Sequence, residues 1–281
     1  MNPTQAKNPA ETYESYFVPA MFLPWSKILL GHADLQSRHQ VLDVACGTGI
    51  VARQAAPLVG AQGHVVGLDM NPAMLGVARS RPAPSGAAIQ WQEGNAMALP
   101  FPEGSFDVVL CQHGLQFFPD RDGAVREMLR VLAPGGRAVV MVLQNLAQHP
   151  VFEALMESVA RNLSIPLSAV MTPFILPDAE ELRNLFRVAG FREVDIVPAS
   201  TTVRFVDPER FVPLAVTSSA AAVPAFAQMD EPARAALLAT VRAEVEPIIS
   251  AYRGTETVTF PMFAHVAVAR RANGDARFRN S

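Results

Sequence analysis

Between residues 40 and 143 the chain alternates short apolar runs with amphipathic stretches, and few folds accommodate that alternation. QVLDVA, HVVGLDM, AIQWQEG, FDVVLCQ and RAVVMVL read as five strands. VARQAAPLV, closed by GAQG, reads as a helix between the first two. PAMLGVARS follows with Pro72 in its first turn, where a missing N–H costs nothing. DGAVREMLRVL places Val125, Met128, Leu129 and Leu132 at helical spacing, with Asp122 as the expected N-cap and APGG as the stop. Strands alternating with helices imply a doubly wound, mostly parallel α/β sheet with helices on both faces. Ligands of such sheets bind beyond the carboxyl ends of the strands.

Past residue 145 the pattern changes. PDAEELRNLFRVAG carries a capping box (Asp178 with Glu181), an apolar face of Leu182, Leu185 and Phe186, and Gly190 at its end. FREVDIV and TTVRF read as two strands. Leu237, Val241, Val245 and Ile249 recur every four residues, which makes an amphipathic helix. ETVTFPMFAHVAVAR reads as a long closing strand beside FREVDIV. The expected division is an N-terminal helical lid (1–34), a core (35–145), a helical cover (146–252) with late core elements (178–206), a closing strand (253–271) and a tail (272–281). TSSAAAVPAFA reads as an irregular piece of the cover.

Half of the 281 residues are hydrophobic and 17% are charged, enough for a sizeable core. The net charge of −3 offers no electrostatic reason to expect a nucleic-acid partner. Cys46 and Cys111 stand in apolar contexts without metal-ligand spacing, so no metal is expected and both read as buried residues of a reduced cytoplasm. No secretory leader and no run of about 18 apolar residues is visible, so a cytoplasmic protein without a membrane span is expected. Its partner is expected to be a small molecule, and the protein a monomer or homodimer.

Four features gather where the strands end. Gly47-Thr48-Gly49 lets a ligand approach the backbone and the N–H groups of the following helix. Asp43 lies within an apolar strand, four residues before Gly47, and is costly to bury unless something cationic or hydrogen-bonding meets it. Asp69 ends the second strand, where nucleotide-binding sheets place a ribose acceptor. Asn95, past the third strand, has an amide able to read an adenine edge. The spacing Gly47-x-Gly49-x-x-Ala52 also satisfies the dinucleotide fingerprint of NAD enzymes. The acid under the turn decides between them: it suits a cationic ligand without phosphates, such as S-adenosylmethionine.

VLDVACGTG, VVGLDMNPAML, GNAMALPFPEGSFDVVLCQHGLQFFPD and EMLRVLAPGGRAVVMV together resemble successive motifs of the class I S-adenosylmethionine-dependent methyltransferases. They are most similar to the ubiquinone/menaquinone biosynthesis C-methyltransferase group and its small-molecule relatives. The resemblance covers residues 35 to 145, and LFRVAGFREVDIV continues it. It implies a Rossmann-like, seven-stranded sheet with its last strand antiparallel. It implies that Gly47, Thr48 and Gly49 wrap the methionine moiety, with Asp43 supporting the turn or the ammonium group through water. Asp69 would accept the ribose hydroxyls, Met70 pack on the adenine, Asn95 and Ala96 meet its edge, and Gln112 offer a backbone carbonyl to the ammonium group. Asn95 departs from the aspartate most common there.

Methyl transfer from a sulfonium is an in-line displacement, accelerated by positioning. A base is needed only where the acceptor loses a proton. His113, beside Gln112, is the candidate, although a histidine bonded to backbone in a rigid turn fits the same position. His149, in QHP, reads as a turn before a helix. Tyr13, Tyr16, Phe17, Met21 and Phe22 belong to a block preceding the first strand, where the resembling family places a lid; Tyr13, Phe17 and Met21 share one helical face at spacing four, joined by Trp25 only if the helix survives Pro19 and Pro24. With Phe117 they predict a largely apolar or aromatic acceptor. The competing functions are a non-catalytic S-adenosylmethionine-binding sensor or structural partner and, more remotely, an NAD(P)-dependent oxidoreductase.

Overall fold

The computed structural model describes residues 8–220 and 223–273; most of the expected tail lies outside them. The seven strands are β1 (Gln40–Val44), β2 (His64–Asp69), β3 (Ala88–Glu93), β4 (Phe106–Gln112), β5 (Leu132–Leu143), β6 (Glu193–Val206) and β7 (Thr257–Arg270). They form one sheet in the order β3-β2-β1-β4-β5-β7-β6. The first five are parallel, in registers such as Asp43 with Gly67 and with Leu110. β7 runs against both neighbours: Arg271 N–H donates to the Gly136 carbonyl and Gln144 N–H to that of Phe263, while Arg192 N–H donates to the Arg270 carbonyl and Asp207 N–H to that of Glu256, so numbers rise on one side as they fall on the other. The seven-stranded, Rossmann-like reading with an antiparallel closing strand therefore holds.

Contacts divide the chain into two compact units. The first comprises residues 1–142, 178–199 and 264–281, the second 143–177 and 200–263. In the first unit Val41, Leu42, Val44, Val108, Val109 and Leu110 are fully buried. Strands covered on both faces are apolar along their whole length, which is why β1 and β4 read as continuous hydrophobic runs. Around this sheet stand α1 (Pro9–Thr12), α2 (Leu23–Ala33), α3 (Ile50–Val59), α4 (Pro72–Ser80), α5 (Arg121–Val131) and, later in the chain, α7 (Ala179–Ala189). α3 packs on α2 and on β1, β2 and β3, and α5 pairs with α7.

Several local expectations need correction. α5 starts two residues earlier than expected: Asp120 rather than Asp122 is the N-cap, its Oδ1 accepting the Gly123 N–H at 2.8 Å. APGG does not separate helix from strand. β5 begins at Leu132, and its register against β4 shifts between Phe106 and Val108. The two strands expected over FREVDIV and TTVRF are one, β6, because Pro198 lies in the last strand of the sheet order, where a missing N–H is tolerated. Residues 13–22 neither break at Pro19 nor keep α-helical spacing. They wind as a π-helix, Tyr13–Phe22, continuous with α1 and α2. The wider turn removes Tyr13, Phe17 and Met21 from a common stripe, and Tyr16, Phe17, Val18 and Ala20 become its buried residues.

The second unit contains α6 (Pro150–Asn162), α8 (Pro208–Ala220), α9 (Pro224–Ala227) and α10 (Glu231–Ile249). The described part of TSSAAAVPAFA is thus helical for most of its length rather than irregular, residues 221–222 lying outside the described set. Leu237, Val241, Val245 and Ile249 are buried as their spacing requires. Phe152, Phe205, Phe211 and Phe260 pack ring against ring with centroids 4.8–6.4 Å apart. Burying each such ring contributes about 1.5–3 kcal/mol. Among the described residues, no helix is long and apolar enough to cross a membrane.

Candidate functional site

At the carboxyl end of β1 the chain turns through Ala45, Gly47 and Gly49, at φ of 57°, 55° and 86°. Gly49 is the N-cap of α3, so the first helical N–H groups open onto the turn. Two acids fix this geometry from below. Asp43, 1% exposed, accepts the Ala52 N–H at 3.0 Å through Oδ2, bracing the first turn of α3. Asp69 accepts the Gly47 N–H at 2.7 Å and, through its other oxygen, the Asn71 N–H at 2.8 Å. Burial pushes the Asp43 carboxyl up to about 8, against the lowering effect of the Ala52 bond. Burial raises Asp69 as well, partly offset by its backbone donors.

Glycine at 49 answers to a second constraint. A Cβ there would collide with the Trp91 indole, and a Cβ at Gly67 would stand 2.5 Å from the same ring. Trp91, on β3, thus presses on both the turn and the middle of β2. Sequence reading missed this residue, and the one available signal was a glycine interrupting VVGLD.

The remaining expected contacts arrive from other strand ends. Gly94 N–H donates to the Asp69 carbonyl at 3.1 Å, which sets the Asn95 turn beside the acid. Asn95 is exposed, and its Oδ1 is engaged by the Met97 N–H at 2.9 Å, so its NH2 group is the free half of the amide. Ala96 is buried, whereas Met70 is 75% exposed. Gln112 ends β4; its Nε2 donates to the Phe22 carbonyl at 3.0 Å. Its buried Oε1, like the buried Thr48 Oγ1, has no hydrogen-bond partner among the described residues.

The N-terminal helices reach this end of the first unit through Tyr13 and Phe22. The Tyr13 hydroxyl lies 3.7 Å from where a Cβ on Gly47 would stand. Burial raises its pKa, and the carboxylates of Asp69, Glu14 and Asp43 raise it further. The Tyr13 ring lies 4.8 Å from Phe22 and 6.4 Å from Phe17, with Tyr16 edge-on to Phe17. Met21 is half-buried and Phe117 is 54% exposed. His113 is buried at φ 52°. Its N–H bonds the Met141 carbonyl at 2.8 Å, and its ring meets Phe22 and Trp25 edge-on. His149 belongs to the second unit, as the turn residue before α6.

A glycine turn with acids on both sides, at the strand ends of a doubly wound sheet, defines the nucleoside-binding class of α/β proteins. Within that class, residues 41–136 match the family model described as "Methyltransferase domain". The chain is 36% identical over 168 residues to the demethylmenaquinone methyltransferase of Lactococcus lactis subsp. lactis, covering 55% of this chain and 66% of that protein, just under two thirds. It is 30% identical over 185 residues to the ubiquinone/menaquinone biosynthesis C-methyltransferase of Shewanella sediminis, covering 61% of this chain and 73% of that one. Phosphoethanolamine N-methyltransferase 2 of Haemonchus contortus, solved with phosphomonomethylethanolamine and S-adenosylhomocysteine, shares the fold at 18% identity. That superposition has a TM-score of 0.56 and covers 94% of this chain and 57% of the other. The chain belongs to the class I S-adenosylmethionine-dependent methyltransferase family.

Proposed function

We propose that the chain is an S-adenosylmethionine-dependent methyltransferase whose acceptor is a small, largely apolar or aromatic molecule held in a lidded pocket. The observation that carries this reading is the pair of acids built into the glycine turn, Asp43 beneath α3 and Asp69 on the Gly47 amide. Burial holds a proton on the Asp43 carboxyl near neutral pH; a cationic ligand draws that proton off by stabilising the carboxylate, whereas a pyrophosphate would keep it on, so the two acids favour a ligand bearing cations. Thr48 Oγ1 and Gln112 Oε1, without partners among the described residues, fit a polar ligand, since buried polar atoms ordinarily find partners. When bound, S-adenosylmethionine supplies a methyl group already activated by its sulfonium.

The chain's own residues have separable tasks. Gly47, Thr48 and Gly49 wrap the methionine portion, and Asp43 holds the turn's shape and counters positive charge. Asp69 accepts the ribose hydroxyls, with Met70 on the adenine face and Asn95 and Ala96 at its edge. Gln112 presents its backbone carbonyl to the ammonium group. Tyr13, Tyr16, Phe17, Met21, Phe22 and Phe117 exclude water and line the acceptor side. A relative named for demethylmenaquinone supports an apolar, aromatic acceptor of that general kind. His113 takes the proton where the acceptor must lose one.

Calorimetry with S-adenosylhomocysteine and with NAD tests the cofactor. Binding of the first and not the second is expected, and the reverse would sink the reading. Turnover with a panel of quinols and phenols then separates the enzyme from a binding-only protein. His113→Gln is expected to lower turnover by about a hundredfold, the lower end of a general base's contribution, and in any case by more than about tenfold. A smaller loss retires the base role and leaves positioning alone.

A further inference from the structure

Glu14 follows Tyr13 in the π-helix, and it is held from two sides. Arg53 Nη2 donates to Glu14 Oε1 at 2.9 Å, with side-chain exposures of 13% for Arg53 and 11% for Glu14. The other nitrogen of the same guanidinium, Nη1, donates to the Thr48 carbonyl. A single planar group therefore ties the N-terminal helix to the middle residue of the glycine turn. Arg81 adds a second cation, its Nε 3.5 Å from the same Glu14 oxygen and its Nη2 4.0 Å from Glu11. The second carboxylate oxygen of Glu14 is buried with no hydrogen-bond partner among the described residues.

An exposed ion pair contributes little, but here both partners are sheltered, and removing one strands the other. Stability alone does not account for the position. Tyr13, adjacent to Glu14, places its hydroxyl over Gly47, so whatever holds Glu14 also holds the ring that covers the turn. Arg53 is suited to the task because a guanidinium makes both bonds at once from one rigid plane.

We propose that Glu14 and Arg53 form a latch: a positioning pair that keeps Tyr13 over Gly47 and thereby sets the rate at which a ligand of the glycine turn is released. This rests on reading that turn as the S-adenosylmethionine site. Neither residue touches the reacting atoms; the pair acts through Tyr13 and Thr48. Opening the latch frees the N-terminal helix while the turn keeps its anchors on Asp43 and Asp69, so entry and exit change more than the shape of the bound site.

The test uses the full chain and labelled S-adenosylhomocysteine, chased from the protein with excess unlabelled ligand. Glu14→Gln and Arg53→Gln are each expected to speed release about tenfold, and the double variant no further than Arg53→Gln, because the bond between the two residues is already lost in each single variant. Arg53→Lys, which keeps a charge for Glu14 but loses the two-bond plane, is expected to lie between them and wild type. Amide hydrogen exchange of residues 13–22 in the ligand-bound protein is expected to quicken in the same order. Release within about twofold of wild type in Glu14→Gln and Arg53→Lys, with only a lowered Tm, would overturn the latch. So would a double variant showing the product of the two single effects, about a hundredfold. Failure of the wild-type protein to bind S-adenosylhomocysteine would instead remove the cofactor reading, and the latch with it.

Discussion

Asp43 in the first unit and His149 in the second are each 1% exposed, yet their surroundings treat them in opposite ways. His149 is finished by its own chain. Nδ1 bonds the Asn145 carbonyl at 3.0 Å, Nε2 receives the Phe263 N–H at 3.0 Å, and Phe174 and Phe263 pack on the ring. Around Asp43 the accounts stay open. One backbone N–H reaches it, Asp69 adds like charge nearby, and at the turn Thr48 and Gln112 hold buried oxygens without partners among the described residues. The second unit satisfies its buried histidine from its own chain, whereas the first leaves polar groups at the turn open, as the proposed ligand site requires. On that proposal the buried histidine belongs to packing and the buried aspartate to chemistry.

Removing a ring from the second unit gives the largest expected effect. Phe260→Ala, in the cluster with Phe152, Phe205 and Phe211, is expected to cost about 3–5 kcal/mol in denaturant unfolding. Affinity of the folded fraction for S-adenosylhomocysteine should not change; a parallel loss of affinity would break the division between packing and chemistry. Asp69→Ala is next. It deletes the proposed ribose acceptor and leaves the Gly47 N–H without its partner, so calorimetry should show a fall of about a hundredfold, at 1.5–3 kcal/mol per charged hydrogen bond. A loss below tenfold would separate Asp69 from the site.

Titration sharpens the contrast further. The folded-state pKa of Asp43, about 8, lies above its unfolded value near 3.9, so its contribution is complete below about pH 4 and lost as pH rises through 8. Burial holds His149 below its ordinary value, so its contribution is present above about 6.5 and lost as the solution is acidified from there. Asp43→Asn should therefore flatten the alkaline limb of a stability–pH profile and leave the acid limb in place. A change confined to the acid limb would contradict both assignments. The smallest effect is expected at Asn95, whose Oδ1 serves its own turn. Asn95→Asp should alter S-adenosylhomocysteine affinity by no more than about threefold, within the worth of one exposed hydrogen bond.

Much of the first unit was legible because its signals are local. β4 and α4 occupy the residues their patterns marked, since a doubly covered strand is apolar throughout and a helix opening on Pro72 announces its start. Asp43, Gly47, Gly49 and Asp69 were legible as a group for the same reason: turn, helix start and strand end each have short-range chemistry. What was hidden depends on distance along the chain. Trp91 meets Gly49 across 42 residues, and Arg53 meets Glu14 across 39. No periodicity records such encounters. The π-helix was hidden too, because Pro19 and Pro24 read as breaks when a widened turn can absorb a missing N–H.

Trp91, pressed on the glycine turn, and Trp25, edge-on to His113, are the chain's two tryptophans, and both belong to the first unit. The indole emission of the unmodified protein is therefore a built-in optical gauge of the first unit alone. The phenylalanine-rich second unit is silent at those wavelengths. Heating followed by fluorescence would read the melting of the turn and its helices, and heating followed by calorimetry the melting of everything. Any gap between the two curves measures how independently the two units come apart.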